Sequence, residues 1–479
     1  MLLLYQYPYE VTERKKEMKN NDICQFMRQA AAVKPSARQL DWFDKAFYAF
    51  IHFGINTFTD SEWGKGDEPE TLFAPRQLDC EQWVAAIKSA GMKGMILTAK
   101  HHDGFCLWPS KYTQHSVKNA SIKRDVVGEA ADACRKGGIA FGFYLSPWDR
   151  NSGLYGTEEY NDYFCNQLTE LLTEYGDIFC VWFDNACGEG ADGKKQIYDF
   201  PRYIELVRKY QPGAVIFNDY GPDVRWCGNE AGRARYAEWA VVPAELCHYG
   251  NIQTGEGPMA QEGNLSFLYN TCENLGSLDN ILYSKGLTFT PTEIDMSIRP
   301  GWFWHEHEEP HSLERLFHTY LDSVGGNCCL NLNVPPDRNG KIDERDVRRL
   351  HELGQLIEKE LGNVLLSHIE QTPSGSPTQP GYVIDLKQEN QDIRYVVLQE
   401  DITRGQRVES FQILGETEDG NHYPFYQGTT IGNRKICQLV SPFAEQHPLI
   451  PNIQGKLRKL IVQITSARDE VFMKNIEIF

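Results

Sequence analysis

From about residue 46, short continuous apolar runs alternate with segments whose apolar positions repeat at helical spacing. The apolar runs are "AFYAFIHFG" (46–54), "KGMILTAKHHDG" (93–104), "IAFGFYLSPWD" (139–149), "IFCVWFDNA" (178–186), "GAVIFNDYG" (213–221), "EIDMSI" (293–298) and "CCLNLNVPP" (328–336). Runs that are apolar on successive residues predict strands buried on both faces. Between them "CEQWVAAIKSAG" (80–91) predicts a helix with Asp79 as its N-cap, and "DVVGEAADACRKGG" (125–138) a helix stopped by Gly137 and Gly138. Residues 159–176, 200–212, 312–326 and 343–361 read as further helices. Strand–helix alternation predicts βαβ units and a parallel sheet. The strand count approaches the eight of a (β/α)8 (TIM) barrel, and the stretch is near the size of one. A doubly wound open sheet is the alternative. It is weakened because polar clusters follow nearly every strand, not one switch point.

After the helix 343–361 the texture changes. "SPTQPGYVIDLKQENQDIRYVVLQEDITRGQRVESFQILGE" alternates polar and apolar residues between turn signals, and "KLRKLIVQITS" and "VFMKNIEIF" continue that pattern. This predicts an antiparallel β-sandwich. The expected division is an N-terminal extension (1–40), a (β/α)8-like barrel, regular or distorted (41–362), and a C-terminal β-sandwich (363–479).

Composition adds exclusions. The 479 residues are 41% apolar and 24% charged, ordinary for a globular chain. A net charge of −18 argues against nucleic acid or an anionic membrane surface as partner. No apolar run is long enough for membrane insertion. "MLLLYQYPYEVTERKK" has too short an apolar core for a signal peptide; a periplasmic or secreted place requires a trimmed leader, and otherwise the cytoplasm is expected. Thirteen scattered cysteines with no C-x-x-C predict free thiols, not a disulfide framework. No G-x-G-x-x-G or P-loop is present, so nothing supports a nucleotide. Asn119-Ala-Ser121 and Asn264-Leu-Ser266 match the glycosylation sequon by pattern only.

The strand ends carry the chemistry. In order they supply His52, Asn56, Glu62 and Trp63; His101, His102 and Asp103; Tyr144 and Trp148; Trp182 and Asp184; Asn218 and Asp219, then Arg225, Trp226 and Glu230; and finally Arg299, Trp302 and Trp304. In a (β/α)8 barrel these ends share one face, where active sites are built. Aromatic rings bind the apolar faces of sugars, and imidazoles and carboxylates bond hydroxyls. Paired acids do glycoside hydrolysis. Asp184 at a rigid strand end suits a positioned nucleophile, and Glu230 in a Gly-rich loop suits a proton-transfer group. As isolated residues, Asp184 is as readily a strand-end acid and Glu230 a surface acid. His101–His102 and His305-x-His307 with His311 are the candidate metal ligands, against which stands the absence of a ligand spacing. The 305–311 segment reads as a solvated loop.

Seven blocks, "FIHFGINTFTDSEWG", "LTAKHHDGFCLWPS", "FYLSPWDR", "VWFDNACGEG", "GPDVRWCGNEAG", "EIDMSIRPGWFW" and "NLNVPPDRNG", resemble the α-L-fucosidases of glycoside hydrolase family 29. The fifth and sixth look like the branch acting on α-1,3/1,4-linked fucose of Lewis-type glycans. The resemblance implies a barrel followed by a sandwich, no cofactor, no metal, a fucosylated oligosaccharide as partner, and a retaining mechanism. It implies Asp184 as nucleophile and Glu230 as acid/base. His52, Glu62, Trp63, His101, His102, Tyr144, Trp182, Arg225 and Trp302 then bind substrate. Asn185 departs from the family, where glycine is frequent. The alternatives are a fucosidase of broad linkage specificity, a sugar-binding barrel that has lost catalysis, and a metal-dependent barrel hydrolase.

Overall fold

The computed structural model describes residues 20–219, 221–247, 273, 275–282, 284–367, 374–386, 393–443 and 456–479. The stretch "MLLLYQYPYEVTERKK" and the Asn264 sequon lie outside the described residues. In chain order the first strands are β1 (Phe47–Ile51), β2 (Gly94–Lys100), β3 (Ala140–Leu145), β4 (Cys180–Trp182), β5 (Val215–Phe217), β6 (Arg225–Trp226), β7 (Val241–Pro243), β8 (Leu287–Phe289), β9 (Thr292–Ser297) and β10 (Cys329–Asn333). β7 and β8 pair antiparallel with each other. The other eight form one parallel sheet in the order β5-β4-β3-β2-β1-β10-β9-β6. A parallel bridge between Phe217 and Val224 brings its two edges together. Asp223 and Val224 both donate backbone hydrogen bonds to the Ile216 carbonyl, at 3.3 and 3.2 Å. This is the expected barrel, distorted where β6 starts beside the end of β5 with no helix between them. Periodicity could not show β6, because two residues contain no period.

The helices form where the apolar spacing placed them, and their starts are capped. Asp79 accepts from the Gln82 amide at 3.0 Å, Asp125 from Gly128 at 2.9 Å, and Ser312 from Arg315 at 3.2 Å. Gly138 ends the helix Val126–Gly137 in the left-handed conformation (φ 68°).

Parity along the strands divides the barrel into two packing layers. Phe47, Ala49 and Ile51, with Met95, Leu97, Phe143, Val181 and Ile216, pack with the surrounding helices. Tyr48, Phe50, Ile96, Tyr144, Cys180, Trp182, Val215, Phe217 and Cys329 fill the interior. The vicinal Cys328 and Cys329 therefore face opposite layers, and the twelve described cysteines are free.

The helix Ala37–Lys45 belongs to this packing and starts before the expected boundary at residue 41. Its Trp42 lies in the interior cluster and donates to the Tyr48 hydroxyl at 2.8 Å. Its Gln39 amide bonds the carbonyls of Asp223 and Phe289, at 2.8 and 2.7 Å.

The helix Glu344–Leu361 ends the barrel region. Beyond it come β11 (Leu366–Ser367), β12 (Ser374–Ser376), β13 (Gln379–Asp385), β14 (Tyr395–Glu400), β15 (Val408–Thr417), β16 (His422–Gly428), β17 (Lys435–Gln438), β18 (Leu457–Ala467) and β19 (Met473–Ile478). They make two sheets, β11-β19-β14-β17 and β12-β13-β18-β15-β16, both antiparallel. Alternate residues such as Val396, Leu398, Phe411, Ile413, Val462 and Ile464 face inward to form one core, as in a β-sandwich. It docks on the barrel through a backbone bridge between Gly326 and Lys435 and through Arg468, stacked 3.4 Å over Trp239.

Candidate active site

β4 is short for a local reason. The Asp184 Oδ1 accepts from the Ala186 amide at 2.7 Å, so the side chain turns the chain just past the strand. Its Oδ2 accepts from the Tyr144 hydroxyl at 3.0 Å and lies 3.8 Å from His102 Nε2. The carboxylate is about one quarter exposed, at 26%. A buried strand thus delivers an acid to a partly open site, oriented through both oxygens.

Three histidines stand beside it, and burial drives all three toward the neutral form. His52 is pushed down to about 3, His101 lies well below its ordinary value, and His102 is lowered despite the opposing pull of Asp184. Their partners set the tautomers. Asn333 Oδ1, an acceptor, lies 2.8 Å from His52 Nδ1, so Nδ1 carries the hydrogen and Nε2 the lone pair. Ser146 donates to the Trp148 carbonyl at 2.7 Å and so accepts from His102 Nδ1, also at 2.7 Å. His101 Nδ1 faces the Asn56 amide at 3.4 Å, which leaves its Nε2 as donor. Two imidazole acceptors and one donor suit a polyhydroxylated ligand.

Aromatic rings complete the enclosure. Trp182 stacks on Phe217 (4.2 Å between centroids, 11° between planes) and sits 5.3 Å from Tyr144. Trp302 lies 5.1 Å from the His52 ring, and its indole Nε1 donates to Glu230 Oε2 at 3.4 Å. Trp63 lies 5.8 Å from His102 and 5.7 Å from Trp148, yet is 61% exposed. Glu62 accepts from the backbone amides of Trp302 and Phe303 at 3.1 and 3.4 Å, and its other oxygen lies 2.7 Å from His305. Asp184, Glu230, Glu62, the three histidines, Tyr144, Trp63, Trp182 and Trp302 therefore converge at the C-terminal ends of the strands.

Arg225 is not brought to this cluster. It alternates with Trp226, whose indole reaches the interior acid Asp295 at 2.7 Å, so Arg225 projects from the other face of β6. There its guanidinium bonds Glu238 (2.6 Å) and the carbonyls of Trp239 and Thr290. Arg235 shares Glu238, and the two cations hold that buried carboxyl at about 2 against the effect of burial.

The interior also holds acids that the motifs did not single out. Glu293 accepts from Trp182 Nε1 at 2.8 Å and from Asn331 at 3.1 Å, and Tyr48 bonds its other oxygen. Burial raises it to about 7. Asp295, two residues on and facing the same way, is raised well above the usual carboxylate range. Acids at alternate positions of an apolar strand, as in "EIDMS", were the signal available in the sequence. Asp219 is raised to about 8 by burial and by Asp184, with a smaller push from Glu230; Asn185 hydrogen-bonds to it. The residue after Asp184 thus engages a third carboxyl. Among the described residues no cluster of three or more His, Cys, Asp or Glu could hold a metal, and no helix is long and apolar enough to cross a membrane.

The α-L-fucosidase family model matches residues 17–220 and 194–360, which spans the barrel. The chain belongs to the α-L-fucosidase family, glycoside hydrolase family 29. It is 39% identical over 438 residues to alpha-L-fucosidase 1 of Arabidopsis thaliana, covering 85% of this chain and 82% of that one. Its fold is similar to that of a Bacteroides ovatus chain, with TM-score 0.84 and 40% identity over 95% of this chain and 76% of the other. It is also similar to a Ruminococcus gnavus family 29 fucosidase solved with fucose, with TM-score 0.77 and 26% identity over 94% and 95%. The chain is a glycoside hydrolase, an α-L-fucosidase.

Proposed function

We propose that this α-L-fucosidase is a retaining exo-enzyme that releases terminal α-1,3/1,4-linked fucose from branched, Lewis-type oligosaccharides. Asp184 attacks the anomeric carbon while Glu230 protonates the leaving oxygen. Glu230 then deprotonates the water that resolves the fucosyl-enzyme. The observation that carries this reading is the convergence of the two carboxyls. Asp184 is oriented through both oxygens, Glu230 is bonded by Trp302 above the same pocket, and both act on buried Asp219. His52, His101 and His102 would bond sugar hydroxyls with Glu62, over a floor of Trp182 and Tyr144.

The linkage rests on the "GPDVRWCGNE" and "DMSIRPGWF" blocks and on Trp63. Its exposed ring beside Trp148 offers a surface at the pocket mouth for a second sugar.

Release of fucose from Lewis a and Lewis x trisaccharides, 2′-fucosyllactose and a nitrophenyl fucoside tests the linkage. Preference for the Lewis compounds is expected; equal release from 2′-fucosyllactose sinks it. Asp184→Gly and Glu230→Gly, each given azide, test the roles. The first should yield the β-fucosyl azide and the second the α-anomer.

A further inference from the structure

The loop after β1 and the loop after β9 meet through one histidine. His305 Nε2 lies 2.7 Å from Glu62 Oε1, and Nδ1 lies 2.9 Å from Asp60 Oδ1. Both partners are carboxylates, which only accept. A neutral imidazole has one N–H and would turn a lone pair toward one of them. The imidazolium donates to both, so the contact geometry itself selects the cation.

The surroundings agree. Arg338 also reaches Asp60, at 3.5 Å, and His307 acts on it from further off. Glu308 adds negative charge near the ring and accepts from the Gly301 amide at 3.0 Å. Buried Arg299 bonds the His305 carbonyl. Partial burial disfavours the charge on His305, but the bonds to Asp60 and Glu62 outweigh it and raise the imidazole above its ordinary value.

Through Glu62 the ring bears on the Trp302 peptide. Glu62 Oε2 accepts from the Trp302 and Phe303 amides, the Asn333 side-chain amide donates to the Trp302 carbonyl at 2.7 Å, and the Trp302 indole donates to Glu230. Gly301 makes the approach possible, because a Cβ there would lie 2.6 Å from Glu62 Oε1 and 2.9 Å from the His305 ring.

We propose that His305 is a positioning residue: a cationic clasp that ties the loop after β1 to the loop after β9 and thereby aims the Trp302 indole at Glu230. Released from His305, Glu62 would lose the partner that fixes its second oxygen, and the Trp302 backbone would lose a rigid acceptor. Glu230 would lose its direction. The proposal rests on Glu230 as proton donor.

The test separates direction from folding. His305→Gln keeps size and polarity and removes the charge. Its kcat/KM on a Lewis trisaccharide should fall about 10- to 100-fold. On fucosyl fluoride, whose leaving group needs no proton, the fall should be several-fold smaller, and what remains of it is the weakened hold of Glu62 on the sugar. His305→Arg, a permanent cation with a two-donor fork, should recover most of the loss. Equal kcat/KM for His305→Gln and wild type on the trisaccharide overturns the proposal. So does an equal loss on both substrates, or failure of Arg to restore more than Gln. Histidine-selective NMR of the unsubstituted chain reads the clasp without activity. The His305 Cε1–H resonance should titrate above the ordinary histidine range and move the Trp302 indole resonance with it; a titration at or below that range overturns the clasp. If the wild-type chain releases no fucose from either substrate, the fucosidase reading fails by itself, and the NMR titration decides the clasp alone.

Discussion

The Tyr144 hydroxyl donates to Asp184 Oδ2 at 3.0 Å while the Ala186 amide donates to Oδ1 at 2.7 Å. One bond comes from β3 and the other from the turn that ends β4, so the carboxylate is aimed by two elements that move together only if the barrel moves.

Tyr144→Phe removes one of those bonds and almost no volume. A hydrogen bond to a charged group contributes about 1.5–3 kcal/mol. A loss of about 10- to 100-fold in kcat/KM is expected, with Tm lowered by no more than a few degrees. Steady-state kinetics beside thermal unfolding checks it; unaltered kcat/KM would mean the hydroxyl does not orient the attacking oxygen.

Glu293 should show in stability. Its folded value, raised by burial to about 7, exceeds the ordinary value of 4.5 that it regains on unfolding. Its contribution is therefore fully present below pH 4.5 and is lost as pH rises through about 7. Glu293→Gln removes the titration, so its unfolding free energy relative to wild type should rise between pH 5 and pH 8, by about 3 kcal/mol. A pH-independent difference would refute the buried, proton-holding role.

The pocket histidines act in the opposite direction. His52, His101 and His102 are lowered in the fold, so the unfolded chain binds more protons. Stability from them is present above about pH 6.5 and is lost as pH falls. Because Glu293 works against them in the same window, the difference between chains is the readout: between pH 7 and pH 5 the denaturant midpoint of His52→Gln should rise relative to that of wild type, and a constant difference would refute the neutral, buried imidazole.

Arg225 is expected to matter for the fold. Breaking a buried ion pair by removing one partner costs about 3–5 kcal/mol. Arg225→Met leaves Glu238 with Arg235 alone, and should lower Tm by several degrees while the folded fraction keeps its kcat/KM. A selective rise in KM without loss of stability would return Arg225 to the substrate.

Much of this was legible in the chain. The apolar runs and helical periods gave the order of elements, because a strand buried on both faces needs continuous apolar residues and a surface helix needs a stripe. Asp79 and Gly138 marked helix ends for equally local reasons. Asp184, His101, His102 and Trp302 stood out because a polar or aromatic group at a strand end follows from linear position. The segment 305–311 was half legible: it is a loop, with Glu306, His307 and Glu309 exposed as expected. What linear position could not show is that His305 meets partners more than 240 residues away in sequence.

The sequence by itself determined the barrel, the sandwich, the family and the face of the barrel that carries chemistry. These depend on periodicity and on motifs, which are properties of neighbours along the chain. Only the tertiary structure decided which side of β6 Arg225 occupies, that Glu293 lies beneath Trp182, and that Asn185 engages Asp219. Each is a contact between strands or loops remote in sequence. Whether such a side chain is buried, charged or paired is settled by what packs against it.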